Sequence, residues 1–270
     1  KVRKLVSLLL LMGSAWCTAT TAESVDDVQS AKVGNATLVL NGMGLNTFLR
    51  EERAVGALYL ENKSADPETI ATSAGHKRME MRIITTRLSA RSFAQQWSEG
   101  ISLNNSGEDW RNYATQIVAF ARMFQQNLTT GDHVVIDYLP ELGTRVSVNG
   151  SVLGSVPGMD LYPLLLRTWI GKVPPSEAFK GGILGQSADK ALVERFVNLQ
   201  LSETRIAEMK KAEDARKKAE EETKLAEEKK KKEEEERLAN EKKAKDEGDR
   251  VAKLEAEKVA LQKQLDAQKK

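Results

Sequence analysis

Thr144-Arg-Val-Ser-Val-Asn-Gly-Ser-Val-Leu-Gly-Ser-Val156 sets two short apolar-rich runs on either side of Asn149-Gly150. Asn-Gly supplies the two left-handed residues that a tight hairpin turn needs, so the spacing predicts antiparallel strands over 144–148 and 152–156. A third run, 133–139, precedes them after Gly131-Asp132 and completes a β group. Further upstream, residues 78–84 alternate, with Met79, Met81 and Ile83 on one side and Arg78, Glu80 and Arg82 on the other. Residues 36–41 and 55–61 read as two more strands, the first ending in a Gly-rich turn, and 65–71 as a short helix capped by Asp66 with Pro67 at its first position. Between the alternating strand and the β group lie two helical patterns. Ser89 caps the first, which repeats Phe93, Trp97 and Ile101; the second, about 108–127, carries Tyr113, Ile117, Phe120 and Phe124 on one stripe. An apolar helix over 159–170 closes the series. Strands, helices, a β group and a last helix, without βαβ alternation, predict an α+β domain with a largely antiparallel sheet covered by helices.

Outside residues 35–187 the composition changes. The 270-residue chain carries 41 Lys+Arg against 39 Asp+Glu, yet the charges concentrate in residues 210–247, where fourteen basic and fourteen acidic residues leave no material for a core. Lys229 to Lys232 followed by Glu233 to Glu236 sets opposite charges four apart, which predicts a long solvated helix over 189–270. Leu192, Val193, Phe196, Val197 and Leu199 are suited to dock its start on the domain. Gly248 is expected to interrupt it, and Val251, Leu254, Leu261 and Leu265 follow a/d spacing for a short coiled coil over 251–268. The helix then serves as a spacer or as a self-association element. Because every basic cluster has an acidic neighbour, bulk charge gives no footing for a nucleic-acid partner.

Residues 1–22 combine a basic start, an apolar run from Leu5 to Met12 and small residues at Thr18-Ala-Thr-Thr-Ala22. These are the parts of a secretory signal peptide, and they predict a periplasmic or secreted protein. The run is too short for a permanent membrane span. Cys17 is the one cysteine, and Trp16 before it does not suit lipid attachment; removal of the segment leaves no disulfide and no thiolate site.

Motifs that carry chemistry are scarce. Gly42-Met-Gly44 follows a strand, but Thr47 stands where a dinucleotide loop has its third glycine, and no βαβ unit follows. His76 and His133 belong to no metal-ligand or triad spacing, so no catalytic residue, metal or cofactor is assigned. Arg78 and Arg82 are the candidates for holding an acidic head group, while Phe93 and Trp97 are the candidates for wrapping an apolar tail.

The series Leu38-Val-Leu-Asn-Gly-Met-Gly-Leu45, Ala57-Leu-Tyr-Leu-Glu61, Arg78-Met-Glu-Met81, Trp97-Ser-Glu-Gly100, Asp137-Tyr-Leu-Pro140 and Gly143-Thr-Arg-Val-Ser-Val-Asn-Gly150 resembles the bacterial chalcone isomerase-like domain. That resemblance implies an antiparallel sheet covered on one side by helices. It also implies loss of catalysis, because the Thr, Tyr and Asn that act in the plant enzymes fall on Ala54, Phe93 and Gly100, and Phe cannot donate a hydrogen bond to a developing oxyanion. Non-enzymatic relatives bind fatty acids through an Arg and a Tyr; the Arg corresponds to Arg78 or Arg82, and the Tyr falls near Phe93. The expectation is an exported, non-catalytic protein for a small apolar ligand such as a fatty acid. The alternatives are an isomerase or lyase acting on an enone, a scaffold working through its C-terminal helix, and, as a minor one, haem binding.

Overall fold

A computed structural model describes residues 25–187 and 189–268. The segment 1–22, expected to be a signal peptide, lies outside the described residues. The chain divides at Ser202 and Glu203 into two units.

The first unit is built on one seven-stranded antiparallel sheet in sequential order: β1 Ser30–Val33, β2 Ala36–Phe48, β3 Glu51–Leu60, β4 Lys77–Ile83, β5 His133–Leu139, β6 Gly143–Val148 and β7 Ser151–Val156. Asn149 and Gly150 turn the β6–β7 hairpin at φ of 50° and 80°, as the Asn-Gly pair requires. The helices are α1 Pro67–Thr72, α2 Ala90–Asn104, α3 Gly107–Asn112, α4 Ala114–Met123, α5 Leu161–Ile170, α6 Glu177–Ile183 and α7 Lys190–Asn198. Their starts are set by short polar side chains: Asp66, Ser89, Ser176 and Asp189 accept from backbone N–H groups of α1, α2, α6 and α7. Tyr113 leaves helical geometry at φ −111° and ψ 17°, so the single helix expected over 108–127 is two, and Ser106 with Asp109 forms a capping box for the first.

Alternation divides the sheet into two faces. Met79, Met81 and Ile83 of β4 join Leu58, Val134, Ile136 and Val146 beneath α2, α4 and α5. The opposite face gathers Val33, Leu38, Val55 and Tyr59 with Leu192, Phe196 and Val197 of α7. Helices therefore cover both faces rather than one, because the expected docking residues of α7 sit beneath the sheet while α2 and α5 lie above it.

The Gly-rich stretch is not a turn. β2 runs on through Gly42 and Gly44 with a bulge after Leu40. The glycines are there because α6 crosses them: a Cβ on Gly42 would meet the Gly182 carbonyl oxygen at 2.1 Å, and one on Gly44 would meet Phe179 at 2.7 Å.

The second unit is one helix, α8 Glu203–Gln268, of 66 residues. At 1.5 Å per residue that is about 100 Å. The helix expected from 189 onward is two, since α7 ends at Asn198 and α8 begins at Glu203. Gly248 does not break α8; glycine inside an exposed helix costs about 1 kcal/mol relative to alanine and does not end it. Lys217 and Glu213 pair at 2.7 Å and Glu234 reaches Arg237 at 4.0 Å, but among the described residues Lys229 to Lys232 close no ion pair with Glu233 to Glu236, because exposed long side chains gain little by fixing one geometry. The side chains of Leu261 and Leu265, on which the coiled coil would rest, lie outside the described residues. Among the described residues no helix is long and apolar enough to cross a membrane.

Candidate functional site

α2 presents Phe93, Trp97 and Gly100 on one stripe, spaced four and three apart. Opposite them α5 supplies Thr168 and Trp169, and β4 supplies Met81 from below. Between these elements is a cavity of about 240 Å³. Phe93, Trp97 and Trp169 are buried, and the two indoles stack with centroids 6.4 Å apart and planes at 22°. Phe93 meets Trp97 edge-on at 6.3 Å, and Phe179 of α6 meets Trp169 edge-on at 5.3 Å, so the wall is a continuous set of rigid rings. The mouth is formed by Phe48 at the end of β2, Leu103, and Val173-Pro174-Pro175 after α5.

The polar side chains of the lining are Asn46, Thr47, Gln96, Glu99 and Thr168, and three of them are engaged. Thr168 Oγ1 donates to the Leu165 carbonyl at 2.7 Å, Glu99 accepts from Gln95 at 2.7 Å, and Gln96 reaches Ser92 at 3.4 Å. No histidine, lysine or arginine lines it. Phe93 and Gly100, matched to the plant enzymes' Tyr and Asn, line it, and Ala54, matched to the Thr, is buried on β3 in register with Asn46, a lining residue. All three arrive without a polar group. Nothing in this arrangement pairs an acid with a base. Among the described residues no cluster of His, Cys, Asp or Glu could hold a metal ion.

Phe93 and Trp97 are brought together, but Arg78 and Arg82 are not brought to them. Both arginines project from the opposite face of β4, and Arg78 is occupied. Its Nε and Nη2 donate to the two oxygens of Asp137 at 2.6 and 3.1 Å, and its Nη1 to Glu80 at 3.2 Å. Arg145 adds a second cation to Asp137 at 2.9 Å. Arg82 lies over the ring of Phe196 at 5.2 Å, and His133 faces Glu80 at 3.2 Å. This is a largely buried charge array in which three arginines and His133 face two carboxylates. Burial alone raises the Glu80 pKa, but the hydrogen bond from His133 and the charges of His133, Arg78 and Arg82 outweigh it and hold the carboxyl below its ordinary range. A clamp in which Arg78 or Arg82 takes a head group while Phe93 and Trp97 take its tail is therefore not assembled, because strand alternation puts the two halves on opposite sides of the sheet.

His76 is tied to Glu61 through Nδ1 at 2.8 Å, away from the cavity. Thr168, Trp169, Leu103 and Val173 were outside the sequence-based site. Their apolar helix and loop read as ordinary core, and only the packing of α5 against α2 shows that part of their surface is left open.

A family model described as chalcone isomerase-like matches residues 19–185. The chain belongs to the chalcone isomerase-like family. The curled antiparallel sheet, its covering helices and the long C-terminal helix agree with that architecture. Among solved structures, the domain is similar to a fatty-acid binding protein of Arabidopsis thaliana at 15% identity and a TM-score of 0.47, over 62% of this chain and 94% of that one. No curated protein matches the chain.

Proposed function

We propose that this chalcone isomerase-like domain is a non-catalytic binding protein for a small apolar molecule, with a fatty acid as the specific candidate, seated between α2, α5 and β4. One observation carries the reading: a cavity walled by Phe93, Trp97, Trp169 and Met81, in which Phe93 and Gly100 stand where the resemblance places the plant enzymes' Tyr and Asn. Its volume, about 240 Å³, lies just under the ~300–1,000 Å³ usual for small-molecule sites, which suits a narrow chain better than a multi-ring ligand. With no cation in the lining, the tail enters first and a carboxylate stays hydrated at the open mouth, where burial would otherwise cost several kcal/mol. The proposal includes export, periplasmic or secreted, and a spacer or self-association role for α8.

The test is mass spectrometry of organic extracts from the protein purified without detergent. A single-chain amphiphile in near-stoichiometric amount is the expected result. Recovery of none, together with unchanged melting in added laurate, rules the reading out, since a ligand that binds the native state must raise its stability.

A further inference from the structure

The mouth of the cavity opens among exposed apolar side chains. Leu49, at the tip of the β2–β3 hairpin, is 82% exposed, its neighbour Phe48 is 50% exposed, and Leu103 and Val173 complete the rim at 61% and 49%. Leu49 and Arg50 both hold positive φ, 51° and 69°, a conformation that costs a non-glycine residue about 1 kcal/mol or more and here thrusts Leu49 outward. Two exposed cations adjoin rim residues in the chain, Arg50 beside Leu49 and Lys172 beside Val173, the latter also lining a second cavity with Asp66, Glu68 and Arg167, and neither makes an ion pair among the described residues. Of the nearby acids, Glu51 pairs with Arg53 at 3.2 Å and Glu52 with Arg195, while Glu99 accepts from the neutral amide of Gln95 and keeps its charge.

We propose that this rim docks on the surface of a lipid bilayer, with Leu49 and Phe48 entering the interface, Arg50 and Lys172 meeting lipid phosphates, and the cavity mouth facing the acyl chains. The inference rests on the apolar-ligand reading above and adds where the ligand comes from. A bilayer fits better than a protein partner for two reasons. A stable protein interface needs about 800 Å² per side, whereas this rim is a hairpin tip and a few residues around an opening. A protein seated there would also seal the cavity, while a lipid surface offers at the same place the apolar molecules that the cavity takes and the phosphates that the two cations match.

The experiment is flotation of the full chain with vesicles of equal parts phosphatidylcholine and phosphatidylglycerol. It is run on the wild type, on a Leu49→Asp/Arg50→Glu double variant and on Gly100→Phe, with laurate-induced melting shifts measured in parallel without vesicles. Aspartate tolerates the left-handed backbone at position 49 better than leucine does, so the double variant adds no strain there. The wild type is expected to float. The double variant should lose about tenfold or more in partitioning, through one buried leucine and one reversed charge, yet keep its laurate shift. Gly100→Phe should float and lose the shift. A wild type that stays unbound while responding to laurate overturns the docking surface alone; one that floats without responding overturns the ligand reading alone. A double variant that floats like the wild type overturns the assignment to this rim. So does a wild-type dimer that the double variant dissociates without any vesicle binding, which would give the rim to a second copy of the chain.

Discussion

Gly100→Phe is the most direct test of where a ligand sits. A Cβ at Gly100 would lie 3.2 Å from Cβ and Cγ2 of Thr168, so the new ring must turn into the cavity or displace α5. Overpacking of this kind costs about 1–3 kcal/mol, and exchanging glycine for phenylalanine inside α2 returns about 0.5 kcal/mol of helix propensity. The variant should thus fold with a modestly lower melting temperature, and its response to ligand is the informative quantity. At a hundredfold excess over Kd a ligand stabilises the native state by about 2.7 kcal/mol. For a unit of this size each kcal/mol moves the melting temperature by about 2–4 °C, which gives a wild-type rise of roughly 5–10 °C in laurate. With the cavity filled, the rise should fall below about 1 °C. Differential scanning fluorimetry with a matched titration of laurate reads both. A variant that melts cooperatively and keeps the full rise would refute the reasoning, because the ligand would then occupy some other part of the molecule.

Arg78→Met removes the bidentate partner of Asp137 and one cation from Glu80, leaving them to Arg145 and His133, so urea unfolding should show a loss of up to about 3 kcal/mol while the laurate shift persists; loss of the shift in a folded variant would return Arg78 to the site. Lys77 is buried, and desolvation outweighs the charge of Glu61 to lower its pKa to about 8. Between that value and the unfolded pKa of 10.5 the unfolded chain binds more protons, so stability should rise with pH through this window by up to roughly 3 kcal/mol, and Lys77→Met should flatten the rise in denaturant titrations from pH 7 to 10. Glu80 has the opposite sign: its lowered pKa contributes stability that is present above the ordinary carboxyl range and lost as pH falls through the folded value, so Glu80→Gln is expected to shrink the acid-side loss seen in melting curves from pH 6 to 3.

Elements whose cause is local were legible in the sequence. Asn149-Gly150 fixes its own turn, Asp66 and Ser89 cap their own helices, and Phe93 and Trp97 share a face by spacing alone. Features whose cause lies elsewhere in the fold were not. Gly42 and Gly44 look like a turn until α6 crosses them, and Gly182 and Phe179, which make that crossing, are some 140 residues away. The break at Tyr113 and the one between α7 and α8 fall inside patterns that remain helix-compatible throughout. The far wall of the cavity depends on how α5 lies against α2, so Thr168 and Trp169 carried no signal beyond hydrophobicity.

The separation of Arg78 from Phe93 is instructive because half of it was readable. Alternation along β4 already sends Arg78 away from Met81, and Met81 is the residue that meets Phe93 and Trp97 across the cavity. What alternation could not supply was the occupant of the other face. Arg78 finds Asp137 because β5 pairs with β4 in the register that sets those two residues opposite each other, and Arg145 arrives from β6 opposite the same aspartate. An arginine on a strand draws attention as a free ligand only while its strand neighbours are unknown. Once they are placed, its fork is satisfied twice over within the sheet, and the desolvated carboxylate makes releasing it costly. The same register that consumes Arg78 leaves the cavity lining without a cation, since Lys77, on the helix-side face, lies over the ring of Tyr138 at 4.8 Å and outside that lining. The cavity is thereby suited to apolar chains, and the polar end of any ligand is left to water at the open mouth.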